Sequence, residues 1–461
     1  MLFLKLLLLL WSINFAPPLM AHLFEQRWNT PLDGDRLFAD GHRLFGPHKT
    51  VRGVLAGILM GMCVGIVLGF PFWLGLGAGA LSMAGDLFSS FLKRRLSFIS
   101  GDVVPGLDQT PEGLFPFLIL GPYFSLSLLY VVFCLAVFAT GAYFGSIFLS
   151  HTLMRRPFAS YPRPVRPKTR FRELISCQIT TAPFYQILNF EDALYYHFLM
   201  ETLFKAMGIY ERGKSNALVL ERKDVSFHFS DLPPAFDGYR ILFLTDLHLD
   251  GLDGLTDRLL NIIRDIRADI CILGGDFRME THGPFTDAMT QLDRILPQVH
   301  VTEGVYGVLG NHDCIEIMDA LEGRVTFMVN SSLKLQRNGE QIWLVGIDDP
   351  HYFKCHDLDQ AFDEVPHKAF SILISHSNEI YKAAREYGPK LFLCGHTHAG
   401  QIRIPPIGPV FTHSSAPRSL CEGRWEYGGM LGYTSAGVGV SGVPVRYNSK
   451  GEVTVITLHR A

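Results

Sequence analysis

Residues 53–84 and 113–150 carry no charged side chain; their only titratable groups are Cys63, Cys134 and a few tyrosines. Because a membrane helix needs ~20 apolar residues, the runs from Gly53 to about Ser90 and from Gly113 to Met154 can each hold a helical pair. Pro71 and the Gly121-Pro122 pair are the expected breaks. The first twenty residues, "MLFLKLLLLLWSINFAPPLM", fit two descriptions. One is a secretory signal peptide, with Lys5 as its basic region and Ala21 near a cleavage point; the other is an uncleaved first helix. Apolar character that continues to Leu23, with more apolar segments following, favours the second and gives about five spans.

Basic residues then set the orientation. Arg27, Arg36, Arg43, Lys49 and Arg52 follow the first span, and Lys93, Arg94 and Arg95 follow the third. Arg155, Arg156, Arg163, Arg166, Lys168, Arg170 and Arg172 follow the fifth. Five alternating spans put all three clusters on one face, which the positive-inside rule makes cytoplasmic. The expectation is a multi-pass protein of the inner (cytoplasmic) membrane whose large C-terminal part faces the cytoplasm. Eight cysteines, none in a Cys-x-x-Cys arrangement, agree with a reducing compartment. A formal net charge of -3 and the lack of a basic-aromatic pattern give no support to a nucleic-acid partner.

The expected organisation is a membrane domain over 1–152, a linker over 153–212 and a soluble domain over 213–461. The linker opens with "RRPFASYPRPVRPKTRFR", where repeated Pro blocks regular helix and the basic side chains can sit on anionic headgroups. Next, "EDALYYHFLMETLFKAMGIY" reads as an amphipathic helix, lying on the membrane or packing on the soluble part. From Ala217 the pattern changes to alternation. "ALVLERKDVSFHF" looks like a hairpin, and "RILFLTD", "ADICILGGD", "GVYGVLGNHD", "SILISHS" and "KLFLCGH" are short apolar strands, each ending in a polar cluster. Helix-like segments such as "GLTDRLLNIIRDIR" lie between them. Strand-then-helix repetition predicts an α/β domain, whose strand ends are where such sheets bind ligands.

The strand ends supply Asp246 and His248, Asp276, Asn311 and His312, His376, and His396 with His398. Carboxylates and imidazoles without thiolates suit divalent Mn, Fe, Zn or Co. The order Asp-x-His, Gly-Asp, Gly-Asn-His-Asp, His, Gly-His-x-His over roughly 214–461 resembles the calcineurin-like metallophosphoesterases, and the ending "SAGVGVSGVPVRYN" resembles their membrane-associated bacterial branch. The resemblance implies an α+β sandwich and a hydrolase with two metal ions. One ion would be held by Asp246, His248, Asp276 and His398, the other by Asp276, Asn311, His376 and His396, with Asp276 bridging. His312 would contact the phosphate or protonate the leaving group, and Asp313 would hold that imidazole. Arg278 reads either as a phosphate clamp or as a solvated loop residue. His282, His351, His356 and His413 read as surface or structural.

The N-terminal part carries polar clusters of its own. "PLDGDRLFADGHRLFGPHKTVRG" and "GDLFSSFLKRRLSFISGDVVPGLDQ" resemble the CDP-archaeol synthase family of membrane cytidylyltransferases, relatives of phosphatidate cytidylyltransferase, over about residues 1–152. Asp35 departs from that pattern, standing where a second Gly is expected. The resemblance implies attack of a lipid phosphate on the α-phosphorus of CTP with release of pyrophosphate. Carboxylate-held Mg²⁺ and basic side chains would offset the assembled negative charge. Asp86 and Asp108, with Asp102 beside them, are the Mg²⁺ candidates. Lys49, Arg52, Lys93 and Arg94 are the phosphate candidates, and Ser90 belongs to the Ser-x-x-Lys-Arg motif. A membrane lipid or lipid phosphate would link the two activities; the alternatives are a single-function hydrolase on an inert transmembrane anchor and a membrane scaffold with a vestigial metal site.

Overall fold

In the computed structural model the uncharged runs are helical. The structure describes all residues except 25, 26, 35, 97, 99–103, 105, 149–154, 159, 191 and 192, and no side chains at 22, 23, 185, 193, 195 or 197. Asp35 and Asp102 therefore lie outside the described residues. The chain divides into two units, Met1–Pro157 with Arg166–Lys168, and Phe158–Val165 with Thr169–Ala461.

The first unit contains α1 (Leu2–Phe24), α2 (Val51–Val67), α3 (Phe72–Arg95), α4 (Gln109–Leu114), α5 (Phe117–Tyr123) and α6 (Leu128–Phe148). Thr50 caps α2 by accepting from the Gly53 amide. Pro71 precedes α3, where its fixed φ suits a helix start. Gly61 on α2 lies against Gly75 and Gly79 on α3, and a Cβ there would strike backbone. Small residues thus let the two helices touch along their backbones, as in membrane helix pairs. By length and apolarity, α1 (over Leu2–Ala21) and α6 qualify to cross a membrane, and α2 is a shorter apolar helix. Among the described residues two helices therefore pass that test against the expected five, since α3 is diluted by glycine and Asp86 and residues 113–127 break into short pieces. Gly121 and Pro122 sit inside α5; the break comes just after it.

In the second unit two six-stranded sheets face each other. Twelve strands build them: β1 (Leu220–Phe229), β2 (Tyr239–Leu244), β3 (Ile270–Leu273), β4 (Val305–Gly307), β5 (Thr326–Phe327), β6 (Ser331–Arg337), β7 (Glu340–Gly346), β8 (Ser371–Ile374), β9 (Leu391–Cys394), β10 (Gly423–Tyr427), β11 (Met430–Thr434) and β12 (Gly451–Arg460). The orders are β1-β12-β2-β3-β4-β5 and β10-β11-β9-β8-β7-β6. The expected hairpin over 217–229 is instead one strand, β1, whose partner is the parallel β12, from Leu220↔Gly451 to Phe229↔Arg460. No turn residues divide that segment, and its partner lies at the far end of the chain.

Strand alternation explains the layers. Ile241, Phe243, Ile270 and Ile272 meet Ile372, Ile374, Leu391 and Leu393 between the sheets. Their neighbours Leu242, Leu244, Cys271 and Leu273 turn outward onto the helices Leu255–Ile263 and Thr286–Ile295. Leu373, Phe392 and Cys394 do the same for the helix Tyr381–Tyr387. Each such side chain contributes about 1.5–3 kcal/mol on burial, so the frame that carries the strand ends is rigid.

The Pro/Arg stretch is more than a topology signal. Arg163 is buried, with its guanidinium on both carboxylate oxygens of Asp348 at 2.6 and 2.8 Å and on Glu173 at 2.8 Å. It pins the segment ahead of β1 to the loop after β7. Cys177 and Cys314 form a disulfide with a Cα–Cα distance of 5.6 Å, which runs against the reducing compartment expected from the cysteine pattern. Their separation of 137 residues left that pairing without a local signature.

Candidate functional site

The polar strand ends converge. Asp246 and His248 follow β2, Asp276 follows β3, Asn311 and His312 follow β4, His376 follows β8, and His396 and His398 follow β9. All are buried. Asp246, His248, Asp276, His396 and His398 have φ of 52, 40, 58, 70 and 48°. Backbone there costs non-glycine residues of order 1–3 kcal/mol each, and it persists because the frame over-determines it. Glycine is required beside the carboxylates: a Cβ at Gly310 would collide with Asp276, and one at Gly395 with Asp246.

Backbone carbonyls orient the imidazoles. His248 Nδ1 lies 2.7 Å from the Arg278 carbonyl, His376 Nδ1 2.9 Å from that of Gly274, and His312 Nδ1 2.6 Å from that of Met279. His396 is turned over, with Nε2 2.9 Å from the His413 carbonyl. Each carbonyl takes one ring N–H and turns the other ring nitrogen inward, the arrangement metal-binding histidines use. At His376 that nitrogen lies on Asp276, which, against burial, raises its pKa to about 10. His376 Nε2 is 3.1 Å from Asp276 Oδ2, and His248 Nε2 is 3.6 Å from the same oxygen. Three groups at the site have ligand atoms within 4.8 Å of one another: Asp246 with His248 and His398, His248 with Asp276 and His312, and Asp276 with His376 and His396. Burial and the neighbouring His376 hold His396 well below the ordinary histidine pKa, and burial does the same for His398, so both are neutral donors. Asn311 Oδ1 is buried with no hydrogen-bond partner. A neutral acceptor left bare beside two carboxylates fits a cation, so the donor set suits a pair of divalent ions.

Two expected roles are corrected. Asp313 does not hold the His312 ring; its carboxylate accepts from the amides of Asp276, Phe277 and Gly310 at 2.7–2.9 Å. It fixes the loop that carries the bridging position. Arg278 is neither clamp nor solvated: it is fully buried and donates to the carbonyls of His312, Thr281, Gly283 and Ser176. Other residues escaped the sequence reading. His351 lies 4.4 Å ring to ring from His396 and bonds Glu379 at 3.2 Å. With His351, His413 and Tyr196 line a cavity of about 130 Å³ that also holds Asp276, Asn311, His312 and His398. Only the rule that strand ends carry ligands pointed to His351, which follows β7.

In the first unit the motif residues pair with one another. Lys49 Nζ binds both Asp86 oxygens at 2.6 and 2.7 Å, and Lys93 meets Asp108 at 2.6 Å. Arg94 donates to the Phe98 carbonyl, Arg52 to Asn29 and the Arg27 carbonyl, and Ser90 is buried. Glu112 was not foreseen; it is buried, accepts from Asn14 at 2.8 Å, and acts with Asp86 and Asp108 on Lys49. Acids and bases from four segments thus gather in one cluster.

Comparison with known proteins divides the chain the same way. The calcineurin-like phosphoesterase family matches residues 239–400, and the CDP-archaeol synthase family residues 2–71. The uncharacterised metallophosphoesterase YkuE of Bacillus subtilis is 27% identical over 254 residues, covering 52% of this chain and 86% of that protein. Phosphodiesterase YaeI of Escherichia coli is 28% identical over 235 residues, covering 48% and 82%. The CDP-archaeol synthase of Thermofilum pendens is 39% identical over 105 residues, covering 21% of this chain and half of that protein.

Proposed function

Because the chain fuses a CDP-archaeol synthase-like N-terminal domain to a calcineurin-like metallophosphoesterase domain, we propose that it is a membrane-bound, two-site enzyme of phospholipid metabolism. Its C-terminal site hydrolyses a lipid-linked phosphate ester. Its N-terminal site transfers CMP from CTP to a lipid phosphate.

The observation that carries the hydrolase is the convergence of the ring nitrogens of His248, His376 and His396 around Asp276, together with the bare Asn311 Oδ1. Asp246, His248, Asp276 and His398 would hold one divalent ion, and Asp276, Asn311, His376 and His396 the other. Two such ions supply Lewis-acid activation of water and neutralise phosphate charge. The chain's own part is positional. Asp313 and Arg278 lock the loops that carry Asp276 and His312. His312 keeps Nδ1–H on the Met279 carbonyl in either protonation state and aims Nε2 into the cavity. As an imidazolium it can give its Nε2 proton to the alkoxide that leaves when the phosphorus–oxygen bond breaks. Burial works against that charge and Asp276 favours it.

For the transferase, Lys49 and Lys93 would exchange their carboxylates for nucleotide phosphates, freeing Asp86 and Asp108 for Mg²⁺. The test is incubation of membranes with labelled CTP and a panel of lipid phosphates, beside hydrolysis of bis(p-nitrophenyl) phosphate. Labelled lipid formed by wild type and lost in Asp86→Ala supports the transferase. No labelled lipid in wild type reduces the first unit to an anchor.

The basic clusters support placing the phosphoesterase domain in the cytoplasm. The Cys177–Cys314 disulfide favours the opposite face, because such bonds persist in oxidising compartments. Protease digestion of right-side-out against inverted vesicles separates the two orientations.

A further inference from the structure

Residues 184–188 and 193–206 of the second unit are helical, with two apolar faces among the described side chains. On one face Tyr196, Met200 and Phe204 pack against Val443, Val445 and Tyr447. On the other, Ile187, Phe190, Phe198, Leu199, Leu203 and Met207 are each 51–65% exposed. Its exposed surface is mixed: Thr202 and Lys205 are exposed beside this apolar band, and Lys205 pairs with Glu201. An exposed apolar band of this kind marks an interaction surface. The same 443–447 loop anchors a second protrusion, since Arg403 donates its amide to the Tyr447 carbonyl and Ile402 packs in the same cluster. That protrusion bares Ile404, Ile407 and Phe411 at 47–68% exposure.

Both bands border the candidate site. Tyr196, from the inner face of the helical segment, lines the cavity beside His312 and His398, and its ring covers Gly442, where any side chain would collide with it. From the other side Phe411 stacks near His413, which lines the same cavity. The tether restricts what can cover them. Helix α6 ends at Phe148 and the second unit begins at Phe158; such a stretch reaches roughly 35 Å when fully extended. Anything tied that closely to an apolar, membrane-length helix works at the bilayer surface.

We infer that these two bands insert into the interfacial layer of the lipid bilayer, setting the mouth of the phosphoesterase cavity at headgroup depth so that a lipid phosphate enters without leaving the membrane. This rests on the phosphoesterase reading for its substrate but not for the docking itself.

The test uses the full chain reconstituted in vesicles of phosphatidylcholine and phosphatidylglycerol. Cys63, the one exposed free cysteine among the described residues, is replaced by Ser. A bimane label is then placed through Phe198→Cys, Leu203→Cys or Ile407→Cys, with Asp265→Cys as the water-facing control. Doxyl-labelled lipid should quench the first three at least about threefold more than the control, and aqueous iodide should do the reverse. Iodide quenching at residue 198 equal to the control overturns the inference. So does shielding from both quenchers, which means that protein covers the band. In a second arm, Phe198→Glu with Leu203→Glu should lower hydrolysis of a vesicle-borne lipid phosphate about tenfold and leave bis(p-nitrophenyl) phosphate turnover within about twofold. Equal loss on both substrates, or loss on neither, contradicts it. A wild type inactive on both substrates defeats the phosphoesterase reading while the quenching result still stands or falls by itself.

Discussion

The two polar clusters solve the cost of buried charge differently. In the C-terminal site the donors converge on one carboxylate: His248, His312 and His376 gather around Asp276, His396 and His398 are held neutral, and Asn311 Oδ1 has no partner. In the N-terminal cluster every motif carboxylate that is described already has its cation, Asp86 with Lys49 and Asp108 with Lys93. The first is preorganised for an absent charge; the second compensates itself and must open to receive one. A preorganised site loses most when one donor is removed, whereas a self-compensated one also loses its resting structure.

That contrast can be broken most sharply at Asp276. Asp276→Asn should lower hydrolysis of bis(p-nitrophenyl) phosphate by about 10³-fold or more, with metal content falling below that of wild type in elemental analysis. Full metal content at full rate would refute the bridging role. Next in size, Asp86→Ala should cut CTP-dependent lipid labelling by about 10²-fold and leave phosphate-ester hydrolysis within about twofold. Joint loss would mean that the clusters are not independent. Asp313→Asn is a subtler probe, because the carboxylate touches three backbone amides and no substrate. Metal affinity should weaken about 10–100-fold, as for other outer partners; an unchanged metal titration would make Asp313 a bystander.

The smallest effect concerns His351, whose proton is held above the ordinary histidine value first by its hydrogen bond to Glu379, against the opposing effect of burial. Glu379 correspondingly sits at about 2. Glu379→Gln should bring the His351 titration down toward its ordinary value, read by histidine NMR. A raised histidine stabilises the fold below its unfolded pKa and loses that contribution as pH rises through the folded one. The variant's stability deficit should therefore be largest on the acid side of neutrality and vanish in alkali.

How much was legible follows from the range of the interactions. Strand ends announce themselves locally, as a short apolar run followed by Gly, Asp, Asn or His, so Asp246, Asp276, Asn311 and the His396–His398 pair could be read residue by residue. The roles of Asp313 and Arg278 could not. Both are hydrogen-bonding partners of backbone whose folded position depends on neighbouring strands. Likewise "ALVLERKDVSFHF" contains nothing that distinguishes a hairpin from a strand paired with the C-terminus.

By itself the sequence determined the two-part character of the chain, its apolar helices, its α/β alternation and the polar side chains that end its strands, because each depends on composition or on spacing of a few residues. Only the tertiary structure decided which groups meet: the Cys177–Cys314 bond, Arg163 on Asp348, His351 on Glu379, and the bare apolar bands beside the cavity. Those are contacts between segments tens to hundreds of residues apart, or surfaces left when such contacts are complete, and no local pattern encodes them.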